Sequence, residues 1–184
     1  MKKIVFLVEE PSMKEFLKVI LPKVIPNNVS YTIIHHEGKQ DLERSIPKKL
    51  RAFRQPEIRF VVLIDQDSND CLLLKNRLLE LCEESGRKNC LVRIVCHKLE
   101  SCFLGDLEAV GQTYNLNTLA RRQTEAKFRQ PDRLGNPAQV LKSLVPAYQK
   151  VSSARAVSKH MKLSVNESHS FSFFIKGLQT VIGD

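Results

Sequence analysis

The chain has 184 residues, 42% hydrophobic and 27% charged, with seven Gly and eight Pro. That suits one domain with one core and excludes a disordered, collagen-like or low-complexity chain. The net charge of +9 is uneven: residues 1–111 hold 18 Lys+Arg against 16 Asp+Glu, and residues 112–184 hold 11 against 4, so the C-terminal third suits a polyanionic partner.

Lys3 to Glu9 is a short, uniformly apolar run, which predicts a strand buried on both faces. Pro11-Ser12 then opens a helix whose buried face is Phe16, Leu17, Ile20, Leu21 and Val24, limited by Pro22 and Pro26. Val29 to His36 is β-branched and aromatic and predicts a second strand. After the turn Glu37-Gly38-Lys39, the spacing of Leu42, Ile46, Leu50 and Phe53 predicts a helix, with Pro47 near its start or at a kink. Arg59 to Asp65 is the clearest strand. Leu74, Leu78, Leu81 and Cys82 line a third helix closed by Gly86, and Cys90 to Cys96 reads as a fourth strand.

This β-α-β-α-β-α-β order predicts an α/β fold, an open, mainly parallel sheet of about four strands with helices on both faces. Ser101 to Val110 reads as helix, residues 112–136 as a long polar and basic loop, and 137–150, 152–161 and 170–182 as further helices. The chain therefore divides into a core at 1–111 and a basic helical extension at 112–184 packed on it as one domain. No apolar run reaches the roughly 18 residues of a membrane span. Glu9-Glu10 stops the first run short of the roughly 7–15 residues of a signal sequence. The expectation is a cytoplasmic protein with no membrane partner. Cys71, Cys82, Cys90, Cys96 and Cys102 are odd in number and form no C-x-x-C pair, so reduced, mostly buried thiols are expected.

Acidic residues stand where buried strands stop. Glu9 ends the first, Asp65 and Asp67 end the third, and Glu100 follows the fourth, with Asp106 six residues on. In open parallel sheets, ligands bind beyond the carboxyl ends of the strands, where the strand order reverses. With strand 2 outside strand 1 and strand 3 on its other side, Glu9 and the Asp65/Asp67 pair face one crevice. In an extended segment, residues i and i+2 point the same way, so Asp65 and Asp67 can reach one hard cation. Clustered carboxylates repel unless a cation joins them. Mg²⁺ or Mn²⁺ is expected there, since Mg²⁺ prefers oxygen ligands and keeps several waters. Glu10 is expected to point away from Glu9 into solvent.

A strand-end Glu followed by a strand-end D-x-D in a small parallel sheet resembles the Toprim domain of topoisomerases, primases and overcoming-lysogenization-defect nucleases. More closely, the chain resembles the Toprim-like DUF4276 family. The matching stretches run from Val8-Glu9-Glu10-Pro11 to Leu17, then His36-Glu37-Gly38-Lys39, Val62-Leu63-Ile64-Asp65-Gln66-Asp67 and Lys98-Leu99-Glu100 to Asp106. Ala147-Tyr148-Gln149-Lys150 and Ser168-His169-Ser170-Phe171 with Gly177-Leu178 also fit. The resemblance implies a Toprim/Rossmann-like fold and Mg²⁺-dependent phosphodiester hydrolysis on DNA or RNA. Glu9 would act as general acid/base or metal ligand, Asp65 and Asp67 as metal ligands, and Glu100 and Asp106 would complete the metal shell or orient water. It also implies an ATPase partner and a role in phage defence. Many Toprim proteins carry Glu-Gly where Glu9-Glu10 stands, and often a second acid where Ser12-Met13-Lys14 stand. That departure motivates the alternative of a catalytically inactive nucleic-acid-binding or regulatory partner of an ATPase.

Basic residues supply candidate phosphate contacts. Lys39 sits in the Gly turn after strand 2, at the same end of the sheet as the acids. Arg121, Arg122, Lys127, Arg129 and Arg133 form the densest basic run, with Phe128 as its one aromatic residue, and can track a phosphate backbone. Lys150, Arg155, Lys159 and Lys162 form a second group. His169, in Ser-His-Ser-Phe, is a candidate phosphate contact or helix-start packing residue. Adjacent His35 and His36 point to opposite faces of a strand and make a poor joint metal site. A haloacid-dehalogenase phosphatase also uses D-x-D, but its nucleophilic Asp belongs on the first strand, where Glu9 stands.

Overall fold

A computed structural model describes residues 2–87 and 89–183. Four strands, β1 (Lys3–Val8), β2 (Ser30–His35), β3 (Arg59–Asp65) and β4 (Cys90–Val95), form a sheet in the order β2-β1-β3-β4. All three ladders are parallel, so each connection must cross back over a face of the sheet. The central strands β1 and β3 are buried almost throughout, as their uniform apolar runs require, while the edge strands β2 and β4 are half-buried.

Alternation along the strands divides the core in two. Ile4, Phe6, Val8, Val61, Leu63 and Val95 face one layer, and Val5, Leu7, Phe60, Val62, Ile64 and Val92 face the other. The second layer is covered by α2 (Lys39–Ala52) through Leu42, Ile46 and Leu50, and by α3 (Cys71–Glu83) through Leu74, Leu78 and Cys82. Pro47 lies inside α2 rather than at its start. It removes one N–H from the ladder, and the buried stripe on either side of it holds the helix together.

The first layer is thicker. It contains α1 (Pro11–Ile20), α4 (Glu100–Leu104), α5 (Leu107–Tyr114), α6 (Pro137–Leu144), α7 (Lys150–His160) and α8 (His169–Gly183). Pro11 occupies the first turn of α1, where its missing N–H costs nothing, and Met13, Phe16, Leu17 and Ile20 recur at helical spacing on its buried face. Phe16 packs edge-to-face on Phe103 and Phe171, at 6.2 and 6.1 Å between ring centroids. It thereby ties α1 to α4 and α8, each ring contributing about 1.5–3 kcal/mol by burial.

Lys150 at the start of α7 reaches Glu10 at the start of α1. Lys23, just past the end of α1, donates to the carbonyls of Ser158, Lys159 and Met161 at the end of α7. The two helices therefore run parallel, and α7 presents its N-terminus at the carboxyl end of the sheet.

Two expectations on this side need correction. The single helix expected over Ser101–Val110 is two, α4 and α5. A Cβ on Gly105 would collide with the Asn166 side chain and Ser168 N, so the chain breaks where the 166–168 segment presses in. The loop expected over 112–136 carries the last turn of α5 and two short 3-10 turns, at 119–124 and 131–133. Among the described residues no helix is long and apolar enough to cross a membrane.

Candidate functional site

The strand order reverses between β1 and β3, and the acids gather beyond their carboxyl ends. Asp65, the last residue of β3, is 3% exposed, and its backbone N–H donates to Glu9 Oε2 at 3.1 Å. Glu9 follows β1 directly, and its carbonyl accepts from Gly38 N at 3.0 Å. That bond brings the turn before α2 against the end of β1. Gly38 has φ +102°, a conformation that favours glycine, and it sets Lys39 at the first position of α2. Lys39 Nζ then lies 3.2 Å from Asp67 Oδ2, and Lys98 Nζ lies 3.4 Å from Asp67 Oδ1.

Glu100, 1% exposed, opens α4 beyond β4 and accepts from Tyr148 Oη at 2.8 Å. Glu10 accepts from Ser12 Oγ at 3.0 Å and from Lys150 Nζ at 2.6 Å.

Burial and like charge raise the pKa values of the two innermost strand-end acids. Burial pushes the Asp65 carboxyl well above its usual range, and Glu10, Glu9, Glu100 and Asp67 push it further, in that order. Burial also raises Glu9, against the opposing pull of the Asp65 N–H and Lys39. Burial pulls the Lys150 ammonium down, but Glu10, with Glu100 and Asp65 behind it, outweighs that and leaves it raised. The Tyr148 phenol is raised by burial and by the Glu100 charge.

Asp65 Oδ1 and Glu100 Oε2 are buried and have no hydrogen-bond partner among the described residues. Buried polar atoms are rarely left so, and a carboxylate oxygen accepts only from a donor or a cation. Mg²⁺ fits this donor set, since it takes one or two carboxylates and retains water. Among the described residues no three His, Cys, Asp or Glu side chains converge into a complete metal-binding group. An ion would therefore take one or two of these oxygens, with water filling the rest of its shell.

The structure thus gathers Glu9, Asp65, Asp67, Glu100, Lys39 and Lys150, and adds Glu10, Lys98 and Tyr148. Three placements correct the sequence reading. Asp67 is not in extended backbone; its φ is +52°, because its N–H turns back to His97 O at 2.8 Å. The i, i+2 argument for a shared cation fails there, and Asp67 sits instead between two lysines at the rim. Asp106 does not join the cluster. Its Oδ1 caps α5 through Ala109 N at 3.0 Å and its Oδ2 accepts from Lys162 N at 2.9 Å. Glu10, expected in solvent, is only partly exposed, is paired with Lys150 and helps to raise the Asp65 pKa.

The other basic candidates lie apart from these contacts. Arg122 pairs with Glu125 at 2.6 Å and Lys127 with the same carboxylate at 3.7 Å. Both cations lie over the ring of Phe128, which is fully buried and offers no face to a base. Arg121 and Arg129 are exposed. His169 begins α8 and lines a groove beside Cys71, Cys96, Asp132 and Phe173, outside the carboxylate cluster. His36 is structural: its ring lies 2.8 Å from Val8 O and 2.5 Å from Ser45 Oγ.

A family model described as "Domain of unknown function (DUF4276)" matches residues 8–179, which include every residue of the site. Comparison with curated proteins and with solved structures gives no match.

Proposed function

The chain belongs to the DUF4276 family, and we propose that it is a Toprim-like, Mg²⁺- or Mn²⁺-dependent phosphodiesterase acting on nucleic acid. One observation carries this reading: Asp65 is buried, with an oxygen that no described residue supplies with a donor and with four other carboxylates raising its pKa, at the strand-order reversal of a parallel sheet. Asp65, with Glu9 or Glu100, would hold the ion, which would supply Lewis-acid polarisation of a phosphoryl oxygen and a water of lowered pKa.

The rest of the chemistry belongs to the chain. Glu9 sits at the mouth with a raised pKa, which suits a group that takes a proton from an attacking water. Tyr148 fixes the orientation of Glu100. Lys39, Lys98 and Lys150 ring the acids, and their ammonium groups can pass from carboxylate to substrate phosphate as an ion replaces them. The exposed Arg121 and Arg129 supply further positive charge for a phosphate backbone.

A second reading is an inactive nucleic-acid-binding partner of an ATPase. It is favoured by Asp67, which two lysines already neutralise at the rim. The deciding experiment incubates the protein with single- and double-stranded DNA and RNA, with and without Mn²⁺, beside Asp65→Ala. Metal-dependent cleavage lost in Asp65→Ala supports the enzyme. Binding without cleavage, unchanged in Asp65→Ala, supports the partner. Cleavage that survives the substitution overturns the mechanism.

A further inference from the structure

The opposite end of the sheet carries a second polar site, independent of the carboxylates. Arg59 is the first residue of β3 and Asp65 the last, six steps of extended chain or roughly 20 Å away. Ladder register pairs Leu63 with Arg93 and Val61 with Leu91. Arg59, Leu91 and Arg93 therefore share the sheet face that carries α8. They line a cavity of about 350 Å³ closed on its helical side by Gly177, Thr180 and Val181, which is within the usual size of a small-ligand pocket.

Among the described residues Arg93 is held in place by carbonyls rather than by a counter-ion. Its Nε donates to Phe173 O at 3.1 Å and its Nη1 to Val92 O at 3.1 Å. A Cβ on residue 177 would lie 2.5 Å from Arg93 Nη2. Only glycine lets the guanidinium lie against α8, although glycine weakens a helix interior. Among the described residues the arginine ion pairs are those of Arg77, Arg122 and Arg155; neither Arg59 nor Arg93 faces a carboxylate. A half-buried guanidinium oriented by two carbonyls, with no anion among the described residues facing it, is suited to recognising one.

We propose that this cavity binds a small molecule carrying a phosphate monoester. Two guanidinium groups match the near-dianionic charge of such a phosphate at neutral pH, and planar guanidinium forks suit its oxygens. Leu91 and Val181 provide an apolar wall for the body of the ligand.

The test titrates isotopically labelled full-length protein with inorganic phosphate and, separately, with a nucleoside 5′-monophosphate, and maps amide shifts. Saturable shifts centred on Leu91, Gly177 and Thr180 are expected. Affinity should fall tenfold or more in Arg59→Met and in Gly177→Ala, which displaces Arg93. It should be unchanged in Lys48→Met, an exposed lysine of α2 on the other face of the sheet. Tighter binding of the nucleotide than of phosphate would show the apolar wall in use, and equal binding would show the phosphate alone being read. The absence of saturable shifts at Leu91, Gly177 and Thr180 would overturn the proposal, whatever shifts appear at the carboxylate end. The wild-type shift map decides this even where a variant fails to fold, and it does so whether or not the carboxylate site proves catalytic.

Discussion

The backbone N–H of Asp65 donates to the carboxylate of Glu9 at 3.1 Å, joining the ends of β3 and β1. That bond holds one charged group of the cluster beside another, and nothing among the described residues supplies Asp65 Oδ1 with a donor. Burial and the neighbouring carboxylates raise the Asp65 pKa, an unfavourable ionisation that a cation, a proton or an amide substitution relieves.

The pH dependence of stability follows from this. The Asp65 carboxyl is raised well above its usual value, and Glu9 is raised with it. A carboxyl with a higher pKa folded than unfolded binds more protons in the native state, so stability falls as pH rises. The loss begins near the unfolded value of about 3.9 and continues up to the raised folded-state value. Metal-free protein should therefore melt at a higher temperature in mildly acidic than in neutral buffer. Asp65→Asn should flatten that slope and stabilise the neutral protein by roughly 1–3 kcal/mol, as relief of a buried unpaired group does. Calorimetry across pH checks both, and a wild-type melting temperature rising toward neutrality would contradict them.

Divalent ions should act on the same group. A ligand that binds only the native state stabilises it by about 2.7 kcal/mol at a hundredfold excess over its Kd. Mg²⁺ or Mn²⁺ should raise the melting temperature of the wild type and leave Asp65→Asn nearly unmoved. Equal shifts in the two proteins would place the ion elsewhere.

Much of this arrangement was legible in the sequence. The uniform apolar runs ending in Glu9 and Asp65 predict buried central strands, and the β2-β1-β3-β4 order brings those ends to one crevice. Asp67 was not legible, because its turn depends on a bond to His97, thirty residues further along the chain. Glu10 was expected in solvent because its partner, Lys150, lies 140 residues away in sequence. Asp106 shows the commonest ambiguity: an acid before a helix reads alike as ligand or cap until its partners are seen. Tyr148 lay in a matching stretch without a role, since nothing local announces a hydrogen bond to Glu100 across 48 residues.

Tyr148 gives a sharp test of the buried pair. Tyr148→Phe removes the hydroxyl that Glu100 Oε1 accepts from, and Glu100 Oε2 already lacks a partner among the described residues. An orphaned buried carboxylate costs about 1–3 kcal/mol, so urea denaturation should show a loss of that order. Tyr148→Phe/Glu100→Gln should lose less than the two single changes added together. Strict additivity would mean that the two side chains are not coupled.

The rim lysines should separate stability from binding. The Lys150–Glu10 pair is partly solvent-exposed, and such pairs contribute about 0–1 kcal/mol. Lys150→Met and Lys39→Met should therefore change stability little. If each lysine neutralises one phosphate, each substitution should reduce the slope of log K against log salt by about 0.7–0.9. Fluorescence anisotropy with a labelled oligonucleotide at several salt concentrations measures it, and unchanged slopes would remove these lysines from the interface.

Asp106 should behave as the opposite of Asp65. Its two oxygens satisfy Ala109 N at the start of α5 and Lys162 N just past the end of α7. Asp106→Ala removes a helix cap, which costs about 1 kcal/mol, and leaves the partly buried Lys162 N–H unpaired, for a total of roughly 1–3 kcal/mol. Because both contacts lie outside the carboxylate cluster, the Mg²⁺-induced rise in melting temperature should persist in full. Asp65→Asn should show the reverse pattern, with a more stable fold and no response to the ion. A loss of metal response in Asp106→Ala at retained fold would return Asp106 to the metal shell and place the ion nearer α5.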